Sequence, residues 1–334
     1  MHTSSRVFDV AILKATLIRS IYAVILLLAV LVLNFSMMHM APGDVADTIA
    51  QSMGGADAEI LDQIRKDYGL DQPFLVQLGT YIGKVLRLDL GYSFFYNQPV
   101  VKLIMERLPA TLLLVISAQL LALVVGVVLG VVSARNPNGL ASHFVTGLAL
   151  FGYAAPVFWT GILFLILFSL NLGWFPSSGM RDVTTTGGFW PHFIDIVHHS
   201  VLPVVTLCSI YLALYSRMCR SSMLEVLGSD YVRTAKAKGL SSNQVIYKHA
   251  LKNAVSPVIT MAGLQFSAVI SGAVLVEAVY SWPGLGTLAF QSIIARDTPT
   301  ILGILFFSAL VVVIGNLLTD LAMRMVDPRV RGKQ

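Results

Sequence analysis

Two stretches of this chain, residues 110–134 and 144–172, contain no Asp, Glu, Lys or Arg at all. In a folded soluble domain such runs would leave no polar face. A bilayer removes that problem, because about 20 apolar residues in a helix cross the ~30 Å hydrocarbon core with every backbone group paired internally. Four more runs fit the same template: 21–40, 201–216, 258–276 and 301–319. The fourth in chain order, 201–216, falls short of the usual length unless Arg217 snorkels towards the headgroups. Six spans are therefore expected, in an all-α polytopic membrane protein.

Composition agrees. Of 334 residues, 56% are hydrophobic and 12% charged, against about 25% charged in a typical soluble domain. Seventeen Phe and eleven Tyr exclude a disordered chain, 26 Gly without a three-residue period exclude collagen, and two Cys exclude a disulfide-stapled fold. Cys208 and Cys219 share one span, eleven residues apart, or about 16 Å on a straight helix, too far to bridge. The first run follows Arg6, Lys14 and Arg19 as a signal peptide would. It is longer than an apolar signal core of ~7–15 residues, no small-residue cleavage site follows it, and it reads as a retained anchor.

The net charge of +5 is modest, and its placement carries the information. With the N-terminus inside, the inner segments collect Arg135, Arg217, Arg220, Arg233, Lys236, Lys238, Lys248, Lys252, Arg324, Arg329, Arg331 and Lys333. The short outer loops hold only Arg181 and Arg296. Short loops decide orientation, which puts both termini in the cytoplasm.

The expected organisation is a cytoplasmic N-terminus (1–20), span one (21–40), an extracytoplasmic helical insert (41–109), a core of spans two to six (110–326) and a cytoplasmic tail (327–334). In the insert, Asp57 is placed to cap a helix with Ile60, Leu61, Ile64 and Tyr68 on one face, ending at Gly69. Asp71 and Pro73 open a second, with Phe74, Leu78, Tyr81, Val85 and Leu86 apolar. This insert reads as a small cap, as a partner-docking element or as a solvated connector.

The inner loop 217–257 is the most informative stretch. Asp230 is placed to cap a short helix over 231–238, Gly239 to end it in a left-handed conformation, and Ser241 with Gln244 to form a capping box for a second helix through Asn253. Isolated helices under ~12 residues are marginal in water, so the first exists by packing against something. Tyr231, Thr234, Ala235 and Lys238 fall at i, i+3, i+4 and i+7, one face aimed at the cytosol and suited to a socket on another protein. A basic interfacial stretch on anionic lipid is the alternative. Nucleic-acid reading is excluded by the tether between two spans.

No midplane carboxylate or His occurs in the six apolar cores, as an ion-driven carrier would require. Glu277 and Asp320 sit at span ends, and Asp320 with Arg324 has the spacing of a helix pair. Asn34, Gln119, Gln265 and Asn316 read as residues that stitch helices together. There is no G-x-x-x-x-G-K-[ST] loop, no G-x-S-x-G and no H-E-x-x-H, so neither ATP binding by that loop nor proteolysis is encoded. His192, His198 and His199 lie in one outer loop without metal-ligand spacing.

At this point the residues resemble a known family, the B-type permease subunits of dipeptide, oligopeptide and nickel ABC importers. The match is carried by Asp230-Tyr231-Val232-Arg233-Thr234-Ala235-Lys236-Ala237-Lys238-Gly239-Leu240 with His249-Ala250-Leu251-Lys252-Asn253-Ala254 and Pro257. A second block is Glu277-Ala278-Val279-Tyr280-Ser281-Trp282-Pro283-Gly284-Leu285-Gly286 with Arg296-Asp297 and Pro299. Further blocks are Ala41-Pro42-Gly43-Asp44, Asp89-Leu90-Gly91-Tyr92-Ser93, Arg107-Leu108-Pro109-Ala110-Thr111 and Asp327-Pro328-Arg329-Val330-Arg331. Departures exist. Arg233 and Thr234 replace the Glu-Ala that opens the general permease motif, and Val45 stands where Pro is common.

The resemblance implies the fold of a type I ABC importer permease, with no bond chemistry and no cofactor of its own. It implies a second, C-type permease, two ATPases that bind ATP and Mg, an extracytoplasmic solute-binding protein and surrounding lipid. Residues 230–240 would then be the ATPase-coupling segment. Pro156, Trp159 and Gln265 are candidate pathway residues, and Gly152, Pro156 and Gly161 mark a bent third span. An ion-coupled carrier or channel is the rival reading. Peptides, nickel chelates and small oligosaccharides all remain open as cargo.

Overall fold

A computed structural model of the chain describes residues 2–40, 58–67 and 69–326. The motif at 41–45, the Asp57 cap, Tyr68 and the 327–334 tail lie outside the described residues, as do the side chains of Asp320 and Arg324.

The described chain is helical apart from one short hairpin. In order come α1 (His2–Met40), α2 (Ala58–Asp67) and α3 (Phe74–Leu86), then β1 (Tyr92–Ser93) paired antiparallel with β2 (Gln98–Pro99). Next are α4 (Val100–Arg135), α5 (Leu140–Ala154) and α6 (Val157–Phe164), which continues as a π-helical stretch, Leu165–Asn171. α7 (Phe189–Leu227) and α8 (Asp230–Ala237) follow, then a π-helical stretch Gln244–Ala250 running into α9 (Leu251–Leu264), and finally α10 (Phe266–Val279), α11 (Leu285–Ile294) and α12 (Thr298–Val326).

Among the described residues, four helices are long and apolar enough to cross a membrane: Ser20–Met40, Val100–Arg135, Phe189–Leu227 and Thr298–Thr319. Two bent pairs raise the count to six, Leu140–Gly152 with Val157–Asn171 and Gln244–Leu264 with Phe266–Val279, bent by 109° and 55°. The third span thus breaks where the expected hinge lies. Pro156 has no N–H to give, and Ala155 before it takes the extended conformation a proline imposes, at φ −82° and ψ 132°.

Two expectations about boundaries are corrected, and one helix runs ahead of its apolar run. The short run 201–216 is the middle of α7, so His192, His198 and His199 lie on that helix rather than in a loop. The helix that carries span two, α4, starts at Val100, ten residues ahead of the apolar run that begins at Ala110. The second inner helix does not stop at Asn253, because it is continuous with span five and the chain bends instead at Gln265.

Two compact units make up the chain, Met1–Leu108 with Leu288–Val313, and Pro109–Thr287 with Ile314–Gln334. In the first, Phe35 of α1 meets Phe74 and Tyr81 of α3 at 5.2 and 5.5 Å between ring centres. Ser93 of the hairpin donates to buried Asp297, which also accepts from Thr300. In the second, the core gathers Leu114, Ala118, Leu207, Tyr211, Tyr215, Val258, Val269, Tyr280 and Trp282. Its helices come very close where side chains are smallest: a Cβ on Gly130 of α4 would lie 2.9 Å from the Ser216 carbonyl oxygen of α7.

Candidate functional site

Residues 230–240 fold as the spacing predicts at one end and differently at the other. Gly239 has φ +79°. Its N–H bonds to the Lys236 carbonyl at 2.9 Å and that of Leu240 reaches the Ala235 carbonyl at 3.4 Å, a pair of bonds that closes a helix through a left-handed residue. The capping box forms as well: Ser241 N–H donates to Gln244 Oε1 at 3.1 Å, and Gln244 N–H to Ser241 Oγ at 3.4 Å. The N-cap, however, is Ser229, with extended backbone. Asp230 is the first helical residue, exposed, with its carboxylate 3.5 Å from Arg233.

The face assigned to a partner is also divided. Val232 and Ala235 are buried against Val245, with Val226, Leu227 and Leu240 packed around them. Ala235 therefore serves contact within the chain. Tyr231 is 42% exposed, but its hydroxyl accepts from Asn253 Nδ2 at 2.7 Å and donates towards the His249 carbonyl at 3.5 Å. Arg233, Thr234, Lys236, Ala237, Lys238 and Gly239 are left facing outwards. An eight-residue helix too short to stand alone is thus held by its own chain, and its free side is basic.

A second constellation was read from the sequence only as a span end. Glu277, at the end of α10, is fully buried. Its carboxylate accepts from the Thr111 hydroxyl at 2.6 Å and from the N–H groups of Gly286 and Thr287 at 2.7 and 3.1 Å. Those N–H groups open α11, so a carboxylate from another helix does the work of an N-cap. Thr111 also accepts the Leu285 N–H at 2.8 Å, and Trp282 Nε1 donates to the Ala110 carbonyl at 2.9 Å. A Cβ on Gly284 would run into the carboxylate. The Glu277–Gly286 and Ala110-Thr111 blocks thus meet in one polar knot, as the Ser93 and Asp297 blocks meet in another. The missed signal was a lone Glu between apolar Val276 and Ala278, followed by the two glycines that make room for it.

The polar residues within spans divide likewise. Gln119 joins helices, donating to the Tyr215 hydroxyl at 2.9 Å and the Ala262 carbonyl at 2.8 Å. Asn34 is buried with Nδ2 lacking a partner among the described residues. Gln265 sits at the bend, where its side-chain amide donates to Met261 Sδ one turn before it at 3.8 Å, and Asn316 is exposed. Pro156 and Trp159 share an apolar recess of about 370 Å3 with Phe151, Ala154, Ala155 and Phe158, and Gln265 does not line it. His198 Nε2 bonds to the Trp174 carbonyl and His199 to Asp195, and among the described residues no His, Cys, Asp and Glu cluster could hold a metal.

Residues 126–332 match the family described as "Binding-protein-dependent transport system inner membrane component", and residues 12–115 match the model of that system's N-terminal part. The chain belongs to this family. It is a multi-pass inner-membrane transport component and not an enzyme. It is 39% identical over 314 residues to the oligopeptide transport system permease protein AppB of Bacillus subtilis (strain 168), covering 93% of this chain and 97% of AppB. The dipeptide transport system permease protein DppB of Escherichia coli (strain K12) is 39% identical over 324 residues, with 92% and 95% covered. A chain of the MetNI methionine ABC transporter, solved in an inward-facing conformation, shares the fold with a TM-score of 0.54, covering 67% of this chain and 96% of that one at 17% identity.

Proposed function

We infer that this chain is one of two permease halves of an ATP-driven importer for di- and oligopeptides. Both termini and the 217–257 loop face the cytoplasm. There α8 seats in one of two ATPase subunits, which bind the ATP and Mg, while a solute-binding protein delivers cargo from outside to this chain and its C-type partner. Orientation rests on the positive charge of the short inner loops, and the cargo on what AppB and DppB are named for.

One observation carries the reading: α8 is fixed to the stem of span five on one side and presents Arg233, Lys236 and Lys238 on the other. A short helix so arranged passes a push from an acidic-rimmed motor into a membrane helix, and complementary charge brings the two together. The test is purification of the chain with its partners, reconstitution in vesicles and uptake of labelled peptides. The reading requires co-purification with a stoichiometric ATPase and loss of uptake when the ATPase's nucleotide site is disabled. Uphill transport by the chain alone on a proton or sodium gradient would overturn it.

A further inference from the structure

We propose that the hydrogen bond between Tyr231 and Asn253 is the rigid link through which α8 moves span five, and that without it the push is absorbed before it reaches the membrane. The proposal rests on the coupling role inferred above for α8 and names the residues that make the role work.

The geometry lies in what joins α8 to the chain beyond it. One attachment is apolar, Val232 and Ala235 against Val245. Val245 lies inside the π-helical stretch Gln244–Ala250. Such a stretch has i→i+5 bonds and poorer packing along its axis than an α-helix, and π-turns of this kind occur as local distortions at functional sites. A push delivered only to Val245 is therefore delivered to a compliant segment. The apolar cluster, which also takes in Val226, Leu227 and Leu240, ties α8 to the helix of span five at Val245 alone.

The second attachment removes both weaknesses. Asn253 lies past the π-helical stretch, in the regular helix α9 that continues to the bend at Gln265. Its amide donates to the Tyr231 hydroxyl at 2.7 Å. With Val245 it gives α8 two points of support about two helical turns apart, and the second bypasses the soft segment. The Tyr231 ring spans the gap with only two rotatable bonds, so little is lost to side-chain freedom. Its hydroxyl is further aligned by the His249 carbonyl at 3.5 Å. Tyr231 and Asn253 are both exposed, so the bond contributes little to a core and removing it leaves the Val232–Ala235–Val245 cluster in place.

Tyr231 and Asn253 are thus positioning residues. The test uses the whole complex in vesicles, with Ala268→Cys as a reporter on α10 beyond the bend. Ala268 is exposed, whereas the native Cys208 and Cys219 are buried. A membrane-permeant maleimide labels this site with and without nucleotide trapped by vanadate. In the reporter background the labelling rate changes on trapping. Tyr231→Phe and Asn253→Leu each shrink that change about fivefold, as loss of one neutral hydrogen bond predicts, while ATPase co-purification and basal hydrolysis persist. The double variant is no worse than either single one, and Asn253→Asp, whose carboxylate restores the link in the reverse sense by accepting from the Tyr231 hydroxyl, keeps the response.

A full response in Tyr231→Phe overturns the link and leaves the coupling role standing. So do losses that multiply in the double variant, or a loss of bound ATPase, which would make Tyr231 a docking residue. A reporter whose labelling ignores nucleotide in the unaltered complex overturns the coupling role, and the link with it.

Discussion

The Thr111 hydroxyl donates to the Glu277 carboxylate at 2.6 Å and accepts the Leu285 N–H at 2.8 Å. One side chain thereby joins the start of the apolar part of span two, the end of span five and the first residue of α11. Because the knot is buried, each donor it satisfies would be orphaned by losing its acceptor, at about 1–3 kcal/mol apiece.

Thr111→Val keeps the shape and removes the hydroxyl, leaving the Leu285 N–H without its acceptor and the Glu277 carboxylate one donor short. The thermal midpoint of the purified protein falls, by an amount corresponding to about 2 kcal/mol. Glu277→Ala leaves the Thr111 hydroxyl and the Gly286 and Thr287 N–H groups bare and costs more. Unfolding followed by size-exclusion fluorescence orders the three proteins, and a Thr111→Val midpoint equal to wild type would dissolve the knot as a stabilising feature.

Gly239→Val places a β-branched side chain at φ +79°, a conformation costing about 1–3 kcal/mol for such a residue. The turn that closes α8 opens instead, and ATP hydrolysis continues while uptake in reconstituted vesicles falls. Unchanged uptake would remove the turn from the coupling path.

Gly130→Leu inserts a side chain where even a Cβ meets Cys219 and Ser216 of α7. Overpacking of this kind costs about 1–3 kcal/mol. The variant becomes more sensitive to protease in detergent, whereas Gly147→Ala, where a Cβ meets nothing within 4 Å, behaves as wild type.

Gln119→Leu loses the bonds to Tyr215 and the Ala262 carbonyl. Hydrogen bonds between membrane helices average only about 0.6 kcal/mol, so the expected midpoint shift is small and transport is retained. A transport defect with a normal midpoint would instead give Gln119 a place on the solute path.

Apolar length made the spans visible, and residue type made the two caps at Gly239 and Ser241 visible, because left-handed backbone and reciprocal side-chain bonds each demand particular residues. Span four looked short because its first turns carry His192, Asp195, His198 and His199, which hydropathy scores as loop although α7 holds them as helix. The 55° bend at Gln265 has no Gly or Pro at its centre, and Pro257 lies within α9 without ending it. Neither π-helical stretch has a side-chain period that single-residue propensities reveal. Asp230 lost the cap to Ser229 because both residues suit it and register decided between neighbours. Ala235 was assigned outwards because helical spacing gives the angle of a side chain and not what lies opposite.

α7 has 39 residues, which at ~1.5 Å each makes it about 58 Å long, while a bilayer with its headgroups measures about 40–45 Å. Unless steeply tilted, so long a rod overhangs the lipid, and its aqueous stubs are natural places for an antibody or a spectroscopic probe to report on the protein without entering the membrane.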